Sequence, residues 1–279
     1  MIDPETRLAD FRAVFAQIVV ARAGCPHNEA MLRAFAAVPR HLFLGPGRWP
    51  IAEDGSLTVS DDPAAAYQDI GIGLAPGIPT GLPSLHASLL DAVQVSRGER
   101  VLQVGAGTGY FTAILAELVG PSGRVHAFEI DEALAERAQR NLTAWPWAGV
   151  EARSGVSETG SSFNVIYVNA GVQQIPRAWL DALAPGGRLV FPLVAANGAG
   201  AVFIVSRRGA RFAARFVSRA RFVACIGTQD SDAVAHLDRA FATAACEAVR
   251  SLRVAPDPPD DTAWFAGSDW WLSTREATG

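Results

Sequence analysis

Gly105, Gly107 and Gly109 fall within five positions, and Glu129 stands twenty residues beyond the last of them. Glycine accepts positive φ and lets a ligand approach the backbone closely. A helix that opens just after such a turn presents free N–H groups and partial positive charge. A carboxylate delivered beside it accepts hydrogen bonds from both hydroxyls of a ribose. This pattern of residue types suits a nucleoside-containing cofactor.

The elements that must position these groups follow from the flanking residues. Val101, Leu102 and Val104 read as a strand buried on both faces. Phe111, Ile114, Leu115 and Leu118 share one face of a predicted helix from Tyr110 to Val119. Val125 to Phe128 predicts a second strand, which ends on Glu129. The glycine spacing then separates ligand classes. Nicotinamide and flavin sites use G-x-G-x-x-G, with the third glycine on the helix. Here the order is G-x-G-x-G, and Tyr110 stands where that fingerprint needs glycine. No Gly-Lys-Ser/Thr follows, which excludes a Walker phosphate loop. A compact amino-acid sulfonium suits the turn better than a pyrophosphate, so S-adenosylmethionine is the expected cofactor. Its expected contacts are Gln103, Gly105, Ala106, Gly107, Thr108, Gly109 and Tyr110 along the turn, with Glu129 and Ile130 after the second strand.

Of the 279 residues 49% are hydrophobic and 19% charged, so a packed core is expected. Net charge is −4 and the pI about 5.7, which argues against a nucleic-acid-binding surface. Arg207, Arg208, Arg211, Arg215, Arg219 and Arg221 form a local exception that alternates with Phe212, Phe216, Val217 and Phe222. They read as the solvated face of strands, with contact to an acidic partner as the alternative. Cys25, Cys225 and Cys246 are odd in number and lack zinc spacing, so free thiols and no metal are expected. The N-terminus lacks a signal-peptide core, and no apolar run approaches the ~20 residues of a membrane helix. The expectation is a cytoplasmic protein with no membrane partner; the sequence sets no oligomeric state.

Three segments are expected: 1–95 with N-terminal helices and a loop, 96–228 as the cofactor-binding core, and 229–279 as a C-terminal extension. In the first, Leu8, Phe11, Val14, Phe15, Ile18 and Val19 are read as the buried face of a helix, and a second helix covers Asn28 to Ala37. Residues 46–82 read as a long functional loop without core elements. Pro83 to Val93 reads as a helix with proline in its first turn. Strands are expected at 100–104, 125–129, 150–153, 163–168 and 188–192, with helices at 132–144 and 176–183 between them. That alternation predicts an α/β fold with a doubly wound parallel sheet. An antiparallel pair at 201–206 and 211–217 is expected to end the sheet. Beyond it, a helix from Ser231 to about Leu252 leads to Trp264, Phe265, Trp270 and Trp271, read as packing onto the main domain or as a lid or protein-contact surface.

Several segments in order resemble the protein-L-isoaspartate (D-aspartate) O-methyltransferase family. Val38-Pro39-Arg40-His41-Leu42-Phe43 is similar to its VPR-x-x-F segment, and Ala66-Tyr67-Gln68-Asp69 to its AY-E/D-D segment. Val101 to Tyr110 resembles VLEIGTGSGY. Asn169-Ala170-Gly171, Ile175-Pro176, Leu180, Leu183 and Pro185 to Pro192 follow the family's TAA-x-x-IP-x-x-L and GGRLVxP order. The match covers roughly residues 8 to 228. The resemblance implies a seven-stranded class I methyltransferase (Rossmann-like) sheet, S-adenosylmethionine as donor, and a carboxylate of a protein, peptide or specialised metabolite as acceptor. Three departures stand out. The family's acceptor-site serine corresponds to Gly81. Its Gly-Asp-Gly corresponds to Arg153-Ser154-Gly155, which leaves Ser154 and Gly155 as the expected cofactor contacts there. The glutamate of its glycine motif is Gln103.

Methyl transfer from a sulfonium is an in-line displacement, so alignment and exclusion of water are most of the protein's task. A carboxylate, with an ordinary pKa of about 4, needs no general base; a hydroxyl or amine acceptor does. The segment from Tyr67 to His86 is expected to flank the methyl group, with Tyr67, Thr80, Ser84 and His86 as its candidates and Tyr67, Thr80 and His86 as the expected catalytic residues. Thr80 either contacts the acceptor or caps the following helix. His86 is either a base or a buried structural histidine. Asn169, at the end of the fourth strand, lies where ligands gather in doubly wound sheets. Arg40 and His41 read as structural or surface residues. Three readings stay open: a carboxyl methyltransferase, a small-molecule O- or N-methyltransferase that uses His86 as base, and a non-catalytic cofactor-binding module.

Overall fold

A computed structural model describes residues 4–53, 56–156, 160, 162–229, 231–243 and 245–277. The elements in chain order are α1 (Pro4–Arg22), α2 (Glu29–Ala37), α3 (Arg40–Leu44), β1 (Trp49–Glu53), β2 (Ser56–Ser60), β3 (Gly73–Ala75), β4 (Ile78–Pro79), α4 (Pro83–Val93), β5 (Arg100–Val104), α5 (Tyr110–Val119), β6 (Arg124–Glu129), α6 (Glu132–Asn141) and β7 (Ala148–Ala152). They continue with β8 (Phe163–Val168), α7 (Arg177–Asp181), β9 (Leu183–Val194), β10 (Ala199–Arg208), β11 (Arg211–Arg221), α8 (Ser231–Thr243), β12 (Ser251–Val254), β13 (Ala263–Ala266) and β14 (Trp270–Ser273). The chain divides into two compact units, Met1–Glu99 with Ala106–Ala152 and Arg100–Gly105 with Arg153–Gly279.

In the first unit, β6 and β7 pair in parallel, with Glu129 opposite Ala152 at their ends. Helix α5 is apolar almost all round and nine of its ten residues are buried, as befits a helix enclosed by the core. Helix α4 begins at Pro83, which costs nothing at a first-turn position where the N–H has no helical partner. Its cap is Asp69, whose Oδ1 accepts the Ser84 N–H at 2.8 Å. Asp69 also pairs with Arg22 at 3.2 Å, which ties α1 to the same corner.

Two expectations fail in this unit. Phe15, Ala16, Val19 and Val20 form the buried face of α1, whereas Phe11, Val14 and Ile18 are exposed. An apolar stripe too wide for one contact surface gave the wrong phase. Residues 46–82 also contain more than loop. The β1–β2 and β3–β4 hairpins stand there, joined through an Ile51–Ile72 bridge. Leu44, Trp49, Ile51, Ala66 and Ile72 make a small core beneath them.

In the second unit the hydrogen-bonded strand order is β13-β14-β12-β11-β10-β9-β8-β5. Strands β5, β8 and β9 are parallel, and the successive pairs from β9–β10 out to β14–β13 are antiparallel. The parallel strands are buried apolar runs, the pattern of strands covered on both faces. The pair β10–β11 does not end the sheet. Residues 251–254, read from sequence as the end of a helix, form β12 and pair with β11 through Phe212–Leu252. The helix stops earlier, at Thr243. Trp264 lies between Phe203 of β10 and Phe241 of α8, with ring centroids 5.5 and 5.4 Å away, so the aromatic tail is packed core.

Candidate cofactor and acceptor site

In the first unit the structure brings the glycine turn to Glu129. The Glu129 Oε2 accepts the Gly107 N–H at 2.7 Å, and its Oε1 accepts the Asp131 N–H at 3.1 Å. Glu129 is buried, yet these bonds use two of the roughly four lone-pair positions of a carboxylate. Gly107 has φ +56, and a Cβ there would sit 3.3 Å from Leu74 Cδ1. The Ala106 N–H goes to Phe128 O, and the Thr108 carbonyl accepts from Asn141 Nδ2. Tyr110 turns its ring into the core against Phe35 and Phe43. Gly109 caps that helix with φ 90. Ile130 is exposed, 45%, directly after Glu129.

The second unit carries its own candidates. Gln103 is fully buried in β5 opposite Tyr167 of β8, and neither its Oε1 nor its Nε2 has a hydrogen-bond partner. Asn169 donates its N–H to Val104 O, while its buried Oδ1 has no partner. Leaving one such group unsatisfied costs about 1–3 kcal/mol. Gly155 packs so closely on Val104 that a Cβ would collide with Cγ1, and the Ser154 Oγ accepts the Val156 N–H at 3.5 Å. In the second unit the acceptors on Gln103 and Asn169 and the amide donor on Gln103 suit a ligand with ammonium and hydroxyl groups; in the first, the remaining lone pairs of Glu129 suit a ligand with hydroxyls. S-adenosylmethionine is such a ligand. Among the described residues no cluster of metal ligands occurs.

The three catalytic candidates lie in different surroundings within the first unit. Thr80 Oγ1 accepts from Arg40 Nη2 at 3.0 Å and from the Ile72 N–H at 3.1 Å, and donates to Gly81 O. It neither caps α4 nor has hydrogen-bonding capacity to spare. Tyr67 bonds through its hydroxyl to His41 Nδ1 at 2.6 Å, and burial raises its pKa. His86 is buried and stacked on Phe111, ring centroids 3.9 Å apart. Burial, helped by the Arg40 charge, pulls its pKa down to about 3. At Gly81, φ is +78 and a Cβ would collide with His86 Nε2. The imidazole therefore occupies the space that a side chain at position 81 would need.

Arg40, read from sequence as structural or surface, organises this corner. It is 1% exposed and donates to Ala66 O, Gln68 O, Ile70 O and Thr80 Oγ1. Its guanidinium lies over the rings of Phe15 and Tyr110, 5.7 Å from each centroid. The stretch from Ala66 to Thr80 takes four hydrogen bonds from this one side chain. The signal was the Val-Pro-Arg run itself, since an arginine just past a proline in an apolar segment has to find carbonyls to be buried.

Known proteins resemble this chain in sequence and in fold. The sequence profile of the protein-L-isoaspartate(D-aspartate) O-methyltransferase family matches residues 19–230. A protein-L-isoaspartate O-methyltransferase of Pyrobaculum neutrophilum is 33% identical over 210 residues, 73% of this chain and 94% of that protein. One from Aeropyrum pernix is 36% identical over 177 residues, 62% of this chain; the match spans 63% of that relative's length. A solved protein-L-isoaspartate O-methyltransferase superposes with a TM-score of 0.65 at 20% identity, covering 94% of this chain and 87% of its own. A Plasmodium falciparum structure of that name, in complex with S-adenosyl-L-homocysteine, gives 0.62 at 16% identity over 77% of this chain and 97% of its own. The fold is that of these methyltransferases, and the chain belongs to the protein-L-isoaspartate(D-aspartate) O-methyltransferase family.

Proposed function

We propose that this chain transfers a methyl group from S-adenosylmethionine to a carboxylate of a protein or peptide. The observation that carries the proposal is the Glu129 carboxylate, which fixes the Gly107 amide at 2.7 Å and keeps lone pairs for a ribose. The donor, when bound, supplies an electrophilic methyl on sulfonium sulfur. Everything else falls to the protein. Glu129 orients the ribose end, and the Arg40-held segment shields the reacting carboxylate from water.

The state of His86 supports a carboxylate acceptor over a hydroxyl or amine. A histidine whose pKa is about 3 is a poor proton acceptor near neutral pH. A carboxylate arrives already ionised. Gly81, where the family has serine, supports an acceptor with its own requirements at that corner rather than general isoaspartyl repair. No described helix is long and apolar enough to cross a membrane, and all three cysteines are free; these support a cytoplasmic site of action.

The test is transfer of label from methyl-labelled S-adenosylmethionine to isoaspartyl and ordinary aspartyl peptides. The proposal expects a product that releases methanol at high pH, as a methyl ester does. A base-stable methylated product, or none with any carboxylate acceptor, refutes it.

A further inference from the structure

An open groove of about 680 Å³ runs beside the two small hairpins of the first unit. That volume is within the ~300–1,000 Å³ typical of ligand sites. Its walls include Trp49, Pro50, Leu74 and Ile78, and two guanidinium groups, Arg48 and Arg137, reach it. Neither arginine has a carboxylate within ion-pair distance among the described residues. Arg137 spends one N–H on Phe43 O at 3.1 Å, and burial with the nearby Arg140 charge pulls its pKa down. A second charge of opposite sign would relieve that cost. Leu74 in its wall also adjoins the cofactor turn, since a Cβ at Gly107 would sit 3.3 Å from its Cδ1.

We propose that this groove seats the stretch of acceptor polypeptide flanking the methylated residue and selects acidic side chains there. The inference rests on the reading of the chain as a protein carboxyl methyltransferase. Proline and tryptophan walls are rigid and lose little entropy when an extended peptide lies against them. Two cations with no carboxylate partner among the described residues set the preferred charge, chiefly through encounter and discrimination between peptides. The Trp49 Nε1–H is already committed to Gly45 O at 2.9 Å. The indole therefore offers its apolar face, and the arginines supply the specificity.

Binding, read apart from turnover, tests this. Two fluorescein-labelled peptides carry the same isoaspartyl residue, one flanked by glutamates and one by lysines, and their affinities for the full chain are measured by anisotropy. The groove predicts about tenfold tighter binding of the glutamate peptide at low ionic strength, with the gap closing as salt rises. Arg48→Glu, at an exposed position, is expected to abolish or invert the preference, and Arg137→Gln to reduce it, with unchanged thermal unfolding for the first. Equal affinities in the parent chain, or a preference that survives both substitutions, overturns the groove. Titration with S-adenosylhomocysteine separates this result from the functional reading. Charge selection without nucleoside binding would leave the groove standing and remove the methyltransferase assignment.

Discussion

At position 81 the backbone conformation and a ring placement are coupled. Gly81 adopts φ +78, and any Cβ there meets His86 Nε2. Serine placed there in Gly81→Ser should cost about 2 kcal/mol through strain and overpacking. The double variant with His86→Ala should recover part of that loss. Chemical denaturation of the four forms checks this, and simple additivity would contradict it. His86 also sets an acid limit. Its pKa is about 3 in the folded chain and near 6.5 when unfolded. Stability is therefore full above pH 6.5 and falls as pH drops toward 3, since only the unfolded state takes up the proton. One such group steepens the fall by about 1.4 kcal/mol per pH unit. His86→Phe, which keeps a ring against Phe111, should flatten the slope by that amount in unfolding measured from pH 7 to pH 4.

Among the elements, the stretch from Ala66 to Thr80 before α4 is tied together by Arg40. Arg40→Lys retains the charge but cannot reach three carbonyls and a hydroxyl from one planar group. A loss of about 2–4 kcal/mol is expected, with enhanced proteolysis between β1 and α4; unchanged unfolding would contradict this role. The same segment shows where local sequence stops being informative. Helix α4 and strand β5 were legible because proline at a first turn and a run of buried aliphatics act locally. The β1–β2 and β3–β4 hairpins were not, because strands of two to five residues rich in Gly and Pro are stabilised by a bridge between Ile51 and Ile72, twenty-one positions apart. The glycine turn and Glu129 could be read from spacing alone. The burdened state of Thr80 could not, since it arises from Arg40, forty positions away.

Across the whole chain, the C-terminal segment adds strands to the second unit's sheet. Residues 251–273 supply β12, β14 and β13, and the turn before β14 is fastened to the loop that follows β8. Gln174 Oε1 accepts the Trp270 Nε1–H at 3.0 Å and the Ser268 N–H at 3.3 Å. That loop also bonds Gly171 to Val223 and Cys225, and Val172 to Pro192 and Val194. The tail thus helps hold the segment that begins at Asn169. Trp270→Phe should cost about 1 kcal/mol in stability and weaken S-adenosylhomocysteine binding less than Glu129→Ala does. From sequence, β12 was hidden because four residues, Ser-Leu-Arg-Val, carry no strand signal until β11 and β14 lie beside them.

The most direct measurement is calorimetric titration of the chain and of Glu129→Ala and Gly107→Val with S-adenosylmethionine. The arrangement of turn and carboxylate predicts one site in the parent chain. It predicts losses of at least about tenfold in both variants, because one loses the ribose acceptor and the other fills the backbone approach. Absence of binding in the parent chain, or equal affinity in all three, would contradict the assignment.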